Sequence, residues 1–256
     1  MELLKSARRR SLWSETLYIG LNILLAAMTL GIVLAVAVPW PALGLVMLSK
    51  WRIFAVRSRY WMANIRANMI DIIVGFSVVV YLYAATGSLV TQIVLTIMYA
   101  IWLLFIKPRS KRRYVALQAL IGLTFGIGAI IELSPNAPSA LVVLGTWMVG
   151  YSAARHVMSA QKEAHINFFS LVWGFVVAEI AWLSYHWTIG YKVMGVLQLA
   201  QATIIIVLLS FLAERTYMSY HKNGSIRLND VILPALMSIS IIALLLVFFG
   251  GGAETV

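Results

Sequence analysis

The chain contains no cysteine, which excludes disulfides, zinc–thiolate centres and thiol nucleophiles. Acidic residues are also scarce: nine Asp and Glu stand against twenty Lys and Arg, a formal net charge of +11. Charged residues make up only 11% of the chain, against roughly 25% in a soluble domain. The sequence has no Gly-rich phosphate loop, no Gly-x-Ser-x-Gly elbow and no His, Asp and Glu at metal-ligand spacing, so the common signatures of nucleotide, acyl-transfer and metal chemistry are missing. Neither a metal nor any other cofactor is expected. Low-complexity segments and linkers are absent as well, so nothing divides residues 1–256 into separate domains.

What the chain does have is apolar surface. Hydrophobic residues are 62% of it, more than a water-soluble fold of this size could cover, so lipid must be part of its solvent. One membrane-embedded domain without a soluble domain follows, and the plasma (inner) membrane is the expected location. The net positive charge does not point to nucleic acid, because no basic platform interleaved with aromatics accompanies it. The cations are juxtamembrane, where they meet anionic headgroups.

Their distribution sets the expected threading. Nineteen of the twenty cations fall into five groups: Lys5 to Arg10, Lys50 to Arg66, Lys107 to Arg113, Arg155 with Lys162, and Arg215 to Arg227. The turns between alternate groups carry one cation, Lys192. Cytoplasmic loops retain Lys and Arg, so the five groups mark the cytoplasmic side.

Eight segments read as spanning helices: Thr16–Val38, Met69–Ala85, Leu89–Ile106, Tyr114–Ile131, Ser139–Ala154, Phe168–Trp187, Val193–Ala213 and Val231–Phe249. The first is longer than the roughly 7–15 apolar residues of a signal peptide and ends in Pro39-Trp40-Pro41, so it reads as a retained helix. Ala42 to Val56 is interrupted by Lys50 and Arg52. If that segment crosses as a short helix with snorkelling cations, all five basic groups share one side. The expected fold is therefore an all-α polytopic membrane protein. It is a bundle of about nine transmembrane helices, N-terminus cytoplasmic and C-terminus extracytoplasmic. The alternative is eight spans plus one re-entrant or interfacial helix.

Candidate site residues are the polar groups inside apolar segments. Glu179 lies near the middle of its segment, where an ionised carboxylate costs at least ~2.5 kcal/mol. His186 follows seven residues later on the same helical face, and Gln198 and Gln201 sit three apart on the next segment. A helix starting at Val193 would bring Gln201 to the depth of Glu179, making a proton- or cation-responsive site or an interhelical hydrogen bond. A second, weaker group gathers at the cytoplasmic ends: Arg66, Asp71, Arg155, His156, Glu214 and Arg215. These suit a headgroup site, a gate, or ordinary interfacial ion pairs. Gly122 and Gly126, four apart in an apolar helix, suit close packing inside the bundle.

Two function classes remain open. One is a small permease or ion-coupled transporter centred on Glu179; the other is a non-catalytic scaffold or assembly subunit. An enzyme acting on lipid stands behind both, and no catalytic residue is assigned. The expected partners are the bilayer with its anionic headgroups and other membrane subunits.

Overall fold

Long apolar stretches punctuated by Pro, Gly and polar turns produce a chain of antiparallel helices. The computed structural model describes residues 12–186 and 189–248. Its helices are α1 (Leu12–Ala35), α2 (Trp40–Ser49), α3 (Trp61–Ala84), α4 (Leu89–Ile101), α5 (Arg112–Leu133), α6 (Ser139–Gln161), α7 (Ile166–His186), α8 (Gln201–Asn223) and α9 (Leu228–Phe248). A π-helical turn, Trp102–Ile106, continues α4. Local chemistry sets the boundaries. Ser88 caps α4 by accepting from the Thr91 N–H, and Gly224, at φ 70°, ends α8 in the left-handed region that Asn223-Gly224 foreshadows.

Among the described residues seven helical stretches are long and apolar enough to cross a membrane, α7 and the run from α4 through its π turn among them. The protein is thus a multi-pass membrane helix bundle. α6 has 23 residues, ample for a hydrocarbon core of about 30 Å at 1.5 Å per residue. Arg155 and His156 interrupt its apolar run near the C-terminal end.

The doubtful segment becomes α2, ten residues long, followed by two short 3-10 turns. Hydrogen bonds locate it against α3. The Tyr83 hydroxyl lies 2.8 and 2.7 Å from the carbonyls of Val36 and Val38, and the Asn64 amide donates to the Ile53 carbonyl at 3.3 Å. Residues 36–53 therefore run beside α3 from Tyr83 down to Asn64, roughly 28 Å along its axis. The segment covers that length beside α3, though only about half of it is α-helical. Lys50 does not snorkel outward as expected; it is buried against α3.

The helix expected over Val193–Ala213 needs one correction. Gly190–Val193 and Leu197–Ala200 form an antiparallel two-stranded hairpin, with Tyr191 opposite Leu199 and Lys192 opposite Gln198. Met194 and Gly195 both have positive φ (52° and 75°), and with Val196 they make the three-residue turn between the paired Val193 and Leu197. The helix expected from Val193 accordingly begins at Gln201.

Small residues allow the helices to approach closely. A Cβ on Gly150 would lie 2.8 Å from Val177 of α7, and one on Gly126 would meet Ile73 of α3 and Val149 of α6. Gly122 faces Ile70 of α3, so the glycine pair of α5 packs inside the bundle. The core runs through α3, with Val74, Val78, Val79 and Leu82 buried against neighbours on every side.

Candidate functional site

Among the described residues the most densely paired interior group is Asp71, two residues beyond Met69 where the apolar part of α3 begins. Lys50 Nζ, at the end of α2, forms an ion pair with Oδ2. Lys107 Nζ lies 2.8 Å from the same oxygen, and Trp102 Nε1 donates to Oδ1 at 3.2 Å. Side-chain exposures are 4% for Lys50, 10% for Asp71 and 32% for Lys107. The carboxylate is thus saturated with donors, and the second ammonium reaches the surface. The π turn makes this possible. Its i→i+5 closure, Lys107 N–H to Trp102 carbonyl at 2.9 Å, places residues five apart on one side, whereas an α-helix would turn them well away from each other.

Gln118 of α5 holds the chain that leaves this turn. Its amide nitrogen donates to the carbonyls of Ile106 (2.7 Å), Lys107 (3.3 Å) and Arg109 (2.9 Å). The remaining amide oxygen accepts from His156 Nε2 at 2.8 Å, which assigns the ring proton to Nε2. A continuous polar chain links α2, α3, α4, α5 and α6 near one end of the bundle.

The six residues grouped there by sequence do not form one site. Asp71 and His156 belong to this chain. Arg155 bonds Asn167, at the start of α7, and approaches the Tyr151 hydroxyl at 3.4 Å. Arg215 lies 3.6 Å from its neighbour Glu214, and Arg66 is exposed. Lys50, Lys107, Trp102 and Gln118 were missed. Lys50 and Asp71 did carry a signal, since opposite charges within apolar segments pair with one another.

Glu179, His186, Gln198 and Gln201 are likewise dispersed. Glu179 and His186 are on the exposed side of α7. The Gln198 backbone N–H donates to Glu132 Oε2 at 3.3 Å, and Gln201 Nε2 donates to the Leu245 carbonyl of α9 at 2.7 Å. The expected meeting of Glu179 with Gln201 required a helix from Val193. The hairpin takes up that rise, so Gln201 stands at the top of α8 and joins it to α9.

A cavity of about 340 Å³ opens among α5, α6, α7 and α8, within the roughly 300–1,000 Å³ of small-molecule sites. Its walls are apolar, including Leu120, Leu123, Val157, Phe169 and Trp173. Arg113, Glu214, Arg215 and Tyr217 line it as well, all near the helix ends that carry the basic groups. Arg215 is steadied by its guanidinium over the Phe211 ring, 5.2 Å from the centroid. Trp173 Nε1 donates to Ser210 Oγ at 3.2 Å, joining α7 to α8 across the wall. The Tyr217 hydroxyl donates to Glu163, whose other oxygen accepts from the Ala164 and His165 N–H groups. That carboxylate thereby ties the α6–α7 loop to the rim.

The arrangement can hold a molecule with an apolar body and an anionic end, because guanidiniums at the rim suit phosphate or carboxylate and the walls suit an acyl chain. In comparisons with known proteins, no family model, no curated protein and no solved structure matches the chain.

Proposed function

We propose that the protein is a membrane carrier for an anionic amphiphile. One apolar chain of the ligand occupies the cavity among α5–α8, and its head meets Arg113 and Arg215. The observation that carries this reading is the cavity itself, with aliphatic and aromatic walls and two arginines against one carboxylate, Glu214, at its rim. In this form the permease class keeps its place with a lipid-like cargo instead of an ion. Ion coupling through Glu179 draws no support from the arrangement, because its expected partners lie apart. The non-catalytic class draws on a different fact: Asp71, Gln118 and Gln201 are each engaged in links between elements.

The threading belongs to the same proposal. The chain crosses the plasma membrane nine times, with α2 and its 3-10 turns making the second crossing and the N-terminus in the cytoplasm. This supports the carrier reading, since the rim of the cavity then faces the cytoplasmic leaflet, where anionic lipids are held against basic residues.

The test uses purified protein in vesicles containing brominated phosphatidylglycerol or brominated phosphatidylcholine. Subtracting the Trp173→Phe variant isolates the emission of Trp173. Saturable quenching by the anionic lipid is expected, weakened at least tenfold by Ala116→Phe, which fills the cavity. Joint replacement of Arg113 and Arg215 by Gln should erase the preference for the anionic lipid. Equal quenching by both lipids, unaffected by Ala116→Phe, would overturn the proposal.

A further inference from the structure

On α7, residues Ser170, Gly174, Val177, Ala178 and Ala181 are buried, and this face packs on α6. The opposite face exposes Phe168, Val172, Phe175, Glu179, Trp182 and His186. Their spacing is four, three, four, three, four, the repeat of a helix seam that packs against another helix in a left-handed supercoil. Phe175 is 60% exposed and Trp182 is 51% exposed. Glu179 lies at the centre of this arc, roughly 10 Å below the His186 end of the helix. It is therefore inside the hydrocarbon layer and turned away from its own bundle. A carboxyl in that position is strongly disfavoured against lipid tails, and intramembrane ionisable groups face protein or water.

We infer that α7 is the dimer interface of this protein and that Glu179 pairs with Glu179 of a second copy. The choice of a second copy follows from depth. A two-fold axis along the membrane normal brings each residue opposite its own counterpart at the same level, so the carboxyl meets a group able both to donate and to accept. Two carboxyls sharing a proton satisfy each other without an added cation, whereas a different partner would have to supply one at that depth. The seam is already ordered at its outer end, where the Trp182 and His186 rings meet edge to face with centroids 5.2 Å apart. Val172 also lines the cavity, but the inference rests on Glu179 and the exposed residues beside it and requires no ligand there.

The absence of native cysteine makes the test direct. Full-length single-cysteine variants Phe175→Cys and Trp182→Cys are oxidised in the membrane beside Leu144→Cys and Leu236→Cys, which are exposed on α6 and α9. Disulfide-linked dimers are expected from the two α7 positions and not from the other two. Adding Glu179→Leu to Phe175→Cys should reduce the product at least tenfold, while Glu179→Gln should retain it. An unchanged melting temperature shows that the Leu variant is folded. Ala116→Phe should leave cross-linking intact, so failure of the carrier proposal would show separately. The inference is overturned by equal cross-linking at all four positions or none on α7. A product containing another protein, or insensitivity to Glu179→Leu in a folded chain, also overturns it.

Discussion

At the scale of single residues, Asp71 decides how three elements can approach. Lys50 is nearly inaccessible, and the Asp71 carboxylate is its partner. Removing that carboxylate leaves an uncompensated ammonium in low dielectric, a change that costs about 3–5 kcal/mol. Lys107 reaches the surface and can turn toward water, so it escapes most of this penalty. Asp71→Leu should therefore lower stability by roughly that amount, while the double variant Asp71→Leu, Lys50→Met should recover most of the loss by removing both charges. Thermal melts of the three proteins in one detergent check this; a double variant no better than the single one would contradict the pairing account. Both charges stand out in the sequence as interruptions of apolar segments. Their partnership does not, because it depends on α2 running antiparallel along α3.

At the scale of elements, turns and loops determine which polar groups meet. The π turn after α4 brings Trp102 and Lys107 to one carboxylate, and Gln118 secures the carbonyls that follow it. The α6–α7 loop is held in a way that depends on pH. Hydrogen bonds from the Tyr217 hydroxyl and then from the His165 and Ala164 N–H groups keep the Glu163 carboxyl below its ordinary range, against a smaller opposing effect of desolvation. A depressed folded value means that this contribution is present above the ordinary carboxylate pKa of about 4.3 and lost as pH falls through the folded value. The melting-temperature advantage of the native protein over Glu163→Gln should accordingly hold above about pH 4.3 and shrink as the pH is lowered further. A constant difference as the pH falls would mean that the ionised carboxylate does not hold the loop. The two-stranded hairpin shows the same lesson in reverse. Apolar residues 193–200 fit a helix as well as strands, and the positive-φ turn at Met194-Gly195, together with pairing to residues 190–193, decides between them.

At the scale of the whole molecule, the alternation of basic and nearly cation-free turns is the feature that orders the bundle in a membrane. In the proposed nine-crossing threading, with residues 36–53 as the second traverse beside α3, the five basic groups would share one side. A reporter at the C-terminus should then be extracytoplasmic and one inserted at Asn223 cytoplasmic, as read by accessibility to an impermeant reagent in intact cells. The same compartment for both would break the nine-crossing threading, with α2 the first segment to revise.

The sequence by itself determined the solvent, the class and the rhythm of the fold. Hydropathy and Lys/Arg placement are local quantities, and burial in lipid is a strong enough constraint to override weaker preferences. It also singled out Glu179 as an intramembrane carboxyl and Asp71 as a polar group at a helix end. Tertiary structure alone decided their circumstances: Asp71 enclosed by two lysines and an indole, Glu179 turned outward on α7. Both lie in apolar helices, and only the packing of neighbours distinguishes the inward face from the outward one. The cavity was illegible for the same reason. Its lining comes from four helices between Arg113 and Tyr217, and no spacing along one segment records a space that exists only between them.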